Sequence, residues 1–197
     1  MCYSVFFISF LIYTSVHMYN LKIFYISSVI FDFALGFFAP FWFLFLSDFG
    51  GGIEQFGYAI ALMTIASAVT SLYAGKYSDK FGRKKMILFS TTGLAGIVLA
   101  YTLVHSVWSL YVLQILYGVA MSIQSTNEAS LIGDLTEKDT RGTNIGKLHF
   151  YTQIAAAIAM ITAGIIGAHF GLHVVFYTTT LLMLFSAVVV LKLKIDQ

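Results

Sequence analysis

Six apolar runs, each long enough to cross a membrane, constrain this chain more than any other feature. An α-helix of about 20 residues spans the ~30 Å hydrocarbon core of a bilayer. With 59% hydrophobic and 10% charged residues, the chain has too little polar surface for a soluble globule of its length. The sequence therefore predicts an all-α membrane protein with six transmembrane helices. They cover about residues 23–47, 55–74, 86–105, 108–133, 148–168 and 172–191.

The lysine and arginine residues fall on one side of the predicted membrane. They precede the first run, separate the second from the third and the fourth from the fifth, and follow the sixth. Because basic loops remain in the cytoplasm, we expect Gly75 to Lys85 and the C-terminus to be cytoplasmic, in a plasma (inner) membrane. The net charge of only +2 gives no indication of nucleic-acid binding.

The N-terminal segment, 1–21, is interpreted separately. Residues 1–19 are apolar and uncharged, without the basic start and small-residue cleavage site of a signal peptide. The run is either an extra N-terminal hydrophobic helix or sequence upstream of a start at Met18. We therefore divide the chain into this extension, which need not belong to the native protein, and a six-helix unit at 22–197.

The segment between the second and third runs carries the most specific motif of the chain. It reads GKYSDKFGRKK from Gly75 to Lys85. We expect Gly75 to allow a close approach of neighbouring helices and Gly82 to allow a tight reversal of the chain. Asp79 can pair with Arg83 or face a helix N-terminus, so that the segment can lock to helix ends and be released.

This motif resembles the signature of the major facilitator superfamily at every defined position, and the resemblance covers about 22–195. It implies a 3+3 inverted repeat that forms half of a twelve-helix transporter. A second six-helix half, in the same or a separate chain, would complete the central cavity. The resemblance also implies a conformational-switch segment whose basic residues pair with Asp134. That segment comprises Gly75, Asp79, Lys80, Gly82, Arg83 and Lys84.

Two positions depart from patterns found in this superfamily. Many proton-coupled members carry an Arg in the fourth helix where this chain has Gln114. Drug antiporters carry Gly-Pro in the fifth helix, whereas residues 155–164 contain no proline. Neither a proton-coupling role for Gln114 nor a drug-antiporter function is therefore indicated.

Asp32 is the deepest acidic residue of the six runs. It lies about ten residues beyond Lys22, hence roughly 15 Å inside the membrane, where a charge costs on the order of 3 kcal/mol. Together with Ser28, Gly36 and Pro40 it forms a small, polar stripe at four-residue steps. The sharper hypothesis is a proton or cation site, and the alternative is an acid hydrogen-bonded for structure alone.

A second polar stripe is predicted on the fourth helix, facing the cavity. It consists of Gln114, Gly118, Ser125 and Glu128. Glu128 lies about 9 Å inside the membrane, so it contacts either substrate or water and loop residues. Asn127 and Gln124 lie off this stripe and are interpreted as helix–helix hydrogen bonds. Gln153 of the fifth helix is a further candidate for the path.

Small residues recur every four positions on the fifth helix and predict close helix packing there. They are Ala155, Ala159, Ala163, Gly167 and Gly171.

The predicted function is transport of a small solute by alternating access, coupled to a proton or cation. The alternatives are a truncated or split transporter half that is inactive alone and serves as an assembly subunit, and a homodimer of halves. No residues converge as the catalytic groups of a membrane enzyme would. Cys2 is the only cysteine, and the histidines lack metal-ligand spacing, so neither metal nor cofactor is predicted.

Overall fold

The computed structural model describes residues 2–42, 44 and 52–194, with side chains from His17 onward. All the regular elements in this part of the chain are helices, which confirms the predicted all-α class. Its helices are α1 (Cys2–Phe38), α2 (Ile53–Phe81), α3 (Arg83–Tyr101), α4 (Val107–Asp134), α5 (Arg141–Phe170) and α6 (Leu172–Leu191).

All the helices except α3 are long and apolar enough to cross a membrane. Within α1 the qualifying stretch is His17–Phe38. Helix α3 begins with Arg83, Lys84 and Lys85, and these basic residues lower the mean hydropathy of a helix that has only 19 residues. We call the end of the bundle where α3 begins the basic end. The other end, where α2 begins, is the opposite end.

The helices pack in an open series rather than a closed ring. The main contacts run α2–α4–α3–α6–α1–α5, so that α2 and α5 are the two free ends. Exchanging α1 with α4, α2 with α5 and α3 with α6 reproduces the same series. The members of each exchanged pair are three helices apart along the chain. Because three is an odd number of membrane crossings, the two helices of a pair run in opposite directions through the membrane. The contact order is thus that of the predicted 3+3 inverted repeat.

Two glycines show the same symmetry in detail. Gly36 of α1 lies against the backbone of Ala156 in α5, and Gly118 of α4 lies against the backbone of Met63 in α2. A Cβ atom at either glycine would overlap the carbonyl oxygen of the facing residue. Each repeat therefore depends on one glycine for the closest approach of its central helix to a peripheral one.

The motif from Gly75 to Lys85 is almost wholly helical, which corrects the predicted loop. Helix α2 continues to Phe81, and only Gly82, at φ 90°, separates it from α3. The Gly82 amide donates to the Ser78 carbonyl oxygen at 2.9 Å. The predicted reversal at Gly82 is confirmed. The predicted close approach at Gly75 is wrong, because a Cβ there would have nothing within 4 Å.

Helix α1 also differs from its predicted bounds. Its described part ends at Phe38, and Pro40 follows in a turn, exposed to the surroundings, so the predicted stripe from Ser28 to Pro40 does not continue past the helix. The predicted residues 43 and 45–47 lie outside the described residues. Toward its start, α1 is continuous from Cys2 through residues 21 and 22. The division into an extension and a six-helix unit remains a prediction.

An aromatic cluster fills the bundle toward its opposite end. The ring of Phe38 lies 5.5 Å from Tyr101, 5.6 Å from Tyr117 and 5.5 Å from Phe176, measured between centroids. These residues come from α1, α3, α4 and α6, the four central helices of the series. The cluster closes the core on the side away from the basic end.

The small residues of α5 form the predicted packing surface over part of its length. Ala159 and Ala163 are fully buried and pack with Phe37 of α1 and Val175 of α6. Gly171 does not continue the stripe, because it is exposed and caps α5 at φ 87°.

Candidate functional site

Asp32 occupies a half-buried position on α1 where it faces α5. Its carboxylate lies within hydrogen-bonding reach of the Thr152 side chain and within electrostatic range of His149. The contact follows from the packing of α1 on α5, since Gly36 one turn later lies against Ala156. The structure therefore gives the predicted acid of α1 a neutral hydroxyl partner on another helix.

Glu128 is the second acid at membrane depth and is also half-buried. Its Oε1 accepts a hydrogen bond from Gln124 Nε2 at 2.9 Å, one helical turn away on α4. Glu128 and Asp32 lie within electrostatic range of each other. The structure thus brings together the acids of the two central helices, α1 and α4, which are equivalent in the repeat.

Gln124 connects Glu128 to a buried hydroxyl pair on α3. Its Oε1 accepts hydrogen bonds from Ser90 at 2.5 Å and from Thr91 at 3.0 Å. All three of these residues are buried. The prediction that Gln124 makes a helix–helix hydrogen bond is confirmed.

Asn127 makes the corresponding connection to α2. Its Oδ1 accepts a hydrogen bond from Ser78, and its Nδ2 donates to the Ile123 carbonyl oxygen at 2.6 Å. Both Asn127 and Ser78 are buried. This confirms the helix–helix prediction for Asn127, and it explains why α2 stays packed on α4 next to the charged motif.

The structure does not bring the remaining path candidates together. Gln114 is buried, and its Oε1 has no hydrogen-bond partner among the described residues. Ser125 is exposed and donates to Ser122 of its own helix at 3.3 Å, while Gln153 of α5 is exposed. Gln114 and Glu128 are also about 21 Å apart along α4. The predicted stripe therefore divides into a core residue and residues near the surface.

At the basic end, Arg83 joins the motif to α4. It forms an ion pair with Asp134, a longer one with Asp79 at 3.7 Å, and a hydrogen bond to the Ser130 carbonyl oxygen. The predicted pairing of Asp134 with the basic residues of the motif is confirmed. The predicted pairing of Asp79 with Arg83 is confirmed as well, across the turn at Gly82.

Lys84 and Arg141 cap helix C-termini, which the sequence did not reveal. Lys84 Nζ donates to the carbonyl oxygens of Leu191 at 2.9 Å and Leu193 at 2.5 Å, at the end of α6. Arg141 donates to the Gly133 carbonyl oxygen at 2.7 Å, at the end of α4. Cations stabilise helix C-termini because the last carbonyl groups carry partial negative charge. Lys80 is exposed, with its Nζ 5.5 Å from the Phe81 ring centroid.

Asn20 forms a further contact that sequence reasoning missed. Its Nδ2 donates to the Lys194 carbonyl oxygen at 2.9 Å, and its Oδ1 accepts from the Lys194 amide at 2.9 Å. This amide clamp joins α1 to the chain beyond α6 at the basic end. The sequence signal that could have indicated this contact is a lone Asn directly before an apolar run. In the structure this Asn is buried, and a buried amide needs hydrogen-bond partners.

These positions define what the site can do chemically. Asp32 and Glu128 are partly buried acids at membrane depth whose hydrogen-bond partners, Thr152 and Gln124, are neutral. Such an acid can take up a proton or hold a cation. Among the described residues, no three His, Cys, Asp or Glu side chains are arranged to hold a metal ion.

The chain is similar to several bacterial transporters. It is 29% identical over 169 residues to the Bacillus subtilis protein named uncharacterized MFS-type transporter YitZ, which covers 86% of this chain and 98% of that protein. It is 29% identical to multidrug resistance protein MdtG of Proteus mirabilis over 68% of this chain and 33% of that protein. It is 30% identical to a gallate transporter of Pseudomonas putida over 51% of this chain and 22% of that protein.

The chain thus spans nearly all of YitZ but about a third or less of the other two relatives. The family model for the Major Facilitator Superfamily matches residues 24–196, which include most of the membrane part of α1 and all of α2 to α6. This agrees with the inverted repeat, the ion-paired turn at Gly82 and the apolar spans. The chain is a multi-pass membrane protein and belongs to the Major Facilitator Superfamily.

Proposed function

We propose that this chain moves a small solute across the membrane by alternating access, as one six-helix half of the transporting unit. In this proposal Asp32 couples solute movement to a proton or a cation. The observation that carries the proposal is the position of Asp32, a partly buried acid at membrane depth with the neutral partner Thr152.

The coupling follows from the cost of a bare charge inside a membrane. An ionised acid near the centre of the bilayer costs on the order of 3 kcal/mol on insertion scales. A closed conformation, which excludes water, is therefore favoured when Asp32 is protonated or has bound a cation. Opening to either side admits water and allows the ion to leave. Glu128 lies within electrostatic range of Asp32. Because two neighbouring negative charges cost more than one, the pair of acids favours uptake of a proton or a cation.

The basic end is proposed to work as the conformational switch. Arg83 is tied to Asp134 of α4 and to Asp79 of α2, so its contacts join α2, α3 and α4. Breaking and remaking these exposed pairs would change the position of the basic end without disturbing the buried core. We propose that this end lies in the cytoplasm, as the positive-inside rule predicts for its basic residues, and that the membrane is the plasma (inner) membrane.

Names of relatives guide the choice of test solutes. One relative is named a multidrug resistance protein and another a gallate transporter, and YitZ, matched over 98% of its length, is named a transporter. We propose ethidium and gallate as probes. The purified chain is reconstituted in vesicles that contain a trapped pH-sensitive dye, and uptake of each probe is measured with and without a proton gradient.

Gradient-dependent uptake above that of protein-free vesicles is expected for at least one probe, with a matching proton flux. Matched vesicles containing Asp32→Asn protein should lose the flux, whereas Asp139→Asn, an exposed acid at the basic end, should keep it. Equal flux for Asp32→Asn and the unmodified chain would remove Asp32 from the coupling mechanism.

The second candidate function is that of an assembly subunit that transports nothing alone. The chain matches only 33% of MdtG and 22% of the gallate transporter, and these short shares favour the assembly-subunit function. In that case the chain would copurify from membranes with a different six-helix protein, and vesicles would carry flux only when both are present.

A further inference from the structure

We propose that His149 relays protons between the basic end and Asp32, so that the ion coupled to transport is a proton. The importance of this relay for transport rests on the proposed function. The proton transfer to Asp32 is a separate claim, which can be measured without any solute.

A cleft between α1 and α5 provides the start of the proton path at the basic end. It has a volume of about 450 Å³, and residues of the turn between α4 and α5 form a third wall. Polar groups line much of it, among them Glu137, Asn144 and Lys147. A cleft of this size with several polar partners can hold water. Water in the cleft therefore reaches along α5 as far as Lys147.

Two contacts determine the register of α1 on α5 beyond the cleft. The Tyr25 hydroxyl donates a hydrogen bond to the Asn144 carbonyl oxygen at 2.7 Å. Gly36 lies against the backbone of Ala156. The two helices therefore run parallel, and the eleven residues of α1 between these contacts pass alongside twelve residues of α5.

This register places His149 between the cleft and Asp32. With a rise of about 1.5 Å per residue in both helices, Asp32 lies level with residues 151–152, which agrees with its contact to Thr152. His149 is three residues closer to the basic end, about 4.5 Å along the helix axis, and lies within electrostatic range of Asp32. It follows Lys147 of the cleft wall by two residues, about 3 Å. A proton that moves from the cleft to Asp32 therefore meets this imidazole on its way.

The chemistry of the two groups suits a proton transfer. His149 is exposed, whereas Asp32 is partly buried. Imidazole changes its charge between pH 5 and 8, so it can take a proton from water and give it to a carboxylate. Transfer from the His149 imidazolium to the Asp32 carboxylate leaves both groups neutral, which lowers the cost of holding them at membrane depth. Water in the cleft then supplies the next proton to the imidazole.

The charges around this pair favour a proton over a metal cation. Glu128 of α4 lies within electrostatic range of Asp32, and Lys147 lies two residues before His149. Two carboxylates and one ammonium group leave one negative charge, which an imidazolium balances. A metal cation at Asp32 would instead be repelled by both cationic groups. The remaining titratable groups on the described helices packed against α5 are Tyr25, near Tyr151 of α5 itself, and His173 and Tyr177 toward the opposite end of α6.

Proton uptake by Asp32 can be followed directly in the purified chain by infrared spectroscopy. Protonation of a carboxylate produces the carbonyl band of a carboxylic acid, and the band that is missing from Asp32→Asn belongs to Asp32. The pH is lowered rapidly from about 8 to about 4, and the growth of this band is timed. His149→Gln should slow the growth at least about tenfold, because a positioned acid–base group accelerates proton transfer by about 100-fold or more. The final amplitude should not change, since only the route to Asp32 is removed.

The matched control is His169→Gln. His169 is also an exposed histidine of α5, but it lies in the last turn of the helix, at the opposite end. This variant should take up the proton at the rate of the unmodified chain. Equal rates for the two variants, or the absence of an Asp32 band, would overturn the relay. A lower final amplitude in His149→Gln would overturn it as well, because it would assign His149 a structural role.

Transport gives a second, independent result. Gradient-driven uptake of ethidium or gallate should slow in His149→Gln, whereas exchange of labelled for unlabelled probe should keep its rate, because exchange requires no proton to leave Asp32. Slow uptake together with slow exchange would count against the relay. Slowed protonation of Asp32 without flux of either probe by the unmodified chain would support the relay and contradict the transport proposal. Flux by the unmodified chain with normal protonation in His149→Gln would do the reverse.

Discussion

The charges at the basic end and the two acids at membrane depth differ in what they contact. Arg83, Lys84 and Arg141 each bond to a carboxylate or to the last carbonyl groups of another helix. Glu128 accepts a hydrogen bond from the neutral Gln124, and Asp32 lies next to the neutral hydroxyl of Thr152, with His149 within electrostatic range. The contacts of the first group stabilise the charges, whereas the hydrogen-bond partners of the second group are neutral. An acid kept where its charge costs stability is expected at a functional site, and the proposed coupling role of Asp32 rests on this expectation.

The largest effect is expected when the charge of Asp32 is removed, and the property affected is coupled transport. Asp32→Asn keeps the size and the Thr152 contact but removes the titratable group, so proton-driven flux should fall to the level of protein-free vesicles. Unfolding temperature in detergent should not decrease, because the interior charge stabilises nothing. A loss of flux accompanied by a clear loss of thermal stability would instead assign Asp32 a structural role.

Gln124→Leu is expected to lower the free energy of unfolding by about 1–3 kcal/mol. The substitution leaves the hydroxyls of Ser90 and Thr91 and the carboxylate of Glu128 without their shared partner. The free energy of unfolding, measured by titration with a denaturing detergent, reports the loss. Gln153→Leu is the matched control, since that side chain is exposed, and its change should stay within about 0.5 kcal/mol. Equal losses for both variants would show that the buried amide adds nothing specific.

The ion pair of Arg83 with Asp134 should contribute less. Their side chains are 26% and 55% exposed, and pairs of this kind are worth about 0–1 kcal/mol. A double-mutant cycle with Arg83→Gln and Asp134→Asn should give a coupling energy in that range, which decreases as salt is added. Arg83→Gln alone should be the costlier single change, because Arg83 also donates to the Ser130 carbonyl oxygen. A coupling energy above about 3 kcal/mol would place this pair in a buried environment.

The smallest stability effect is expected from Asp79→Asn. Asp79 is 74% exposed and lies 3.7 Å from Arg83, so its loss should change the free energy of unfolding by less than about 0.5 kcal/mol. If the motif acts as a switch, the same variant should nevertheless slow probe uptake severalfold. Normal uptake by Asp79→Asn would limit the motif to orienting the chain in the membrane.

The fold was largely predictable because hydrophobic run lengths determine which segments cross a bilayer. The bounds were less predictable at the charged segments. Helix α2 continues through residues 75–81 because Lys, Asp and Ser near a helix end remain solvated and cost the helix little. Pro40 sits outside α1 instead of kinking it, since the described helix ends at Phe38, two residues earlier.

The contacts of the candidate site were predictable only where both contacting groups are side chains. The depth of Asp32 and the off-stripe positions of Asn127 and Gln124 follow from helical spacing alone. The partner of Asp134 came from the family resemblance. The contacts of Lys84 and Arg141 could not be predicted, because their acceptors are backbone carbonyls that every residue carries. The separation of Gln114 from Ser125 depends on which neighbours cover α4, and spacing along one helix does not contain that information.

The contacts of Lys84 also bear on how the chain is assembled during synthesis. Lys84 lies in the first turn of α3, but the carbonyl group of Leu191 that it caps lies 107 residues later in the chain. A nascent chain that has inserted its first three helices therefore exposes this ammonium group without its final acceptors. The contact can form only after α6 has entered the membrane, which makes it a mark of completed insertion. A ribosome-bound series of truncated chains should show Lys84 reacting with an amine-modifying reagent until residues 191–193 have emerged.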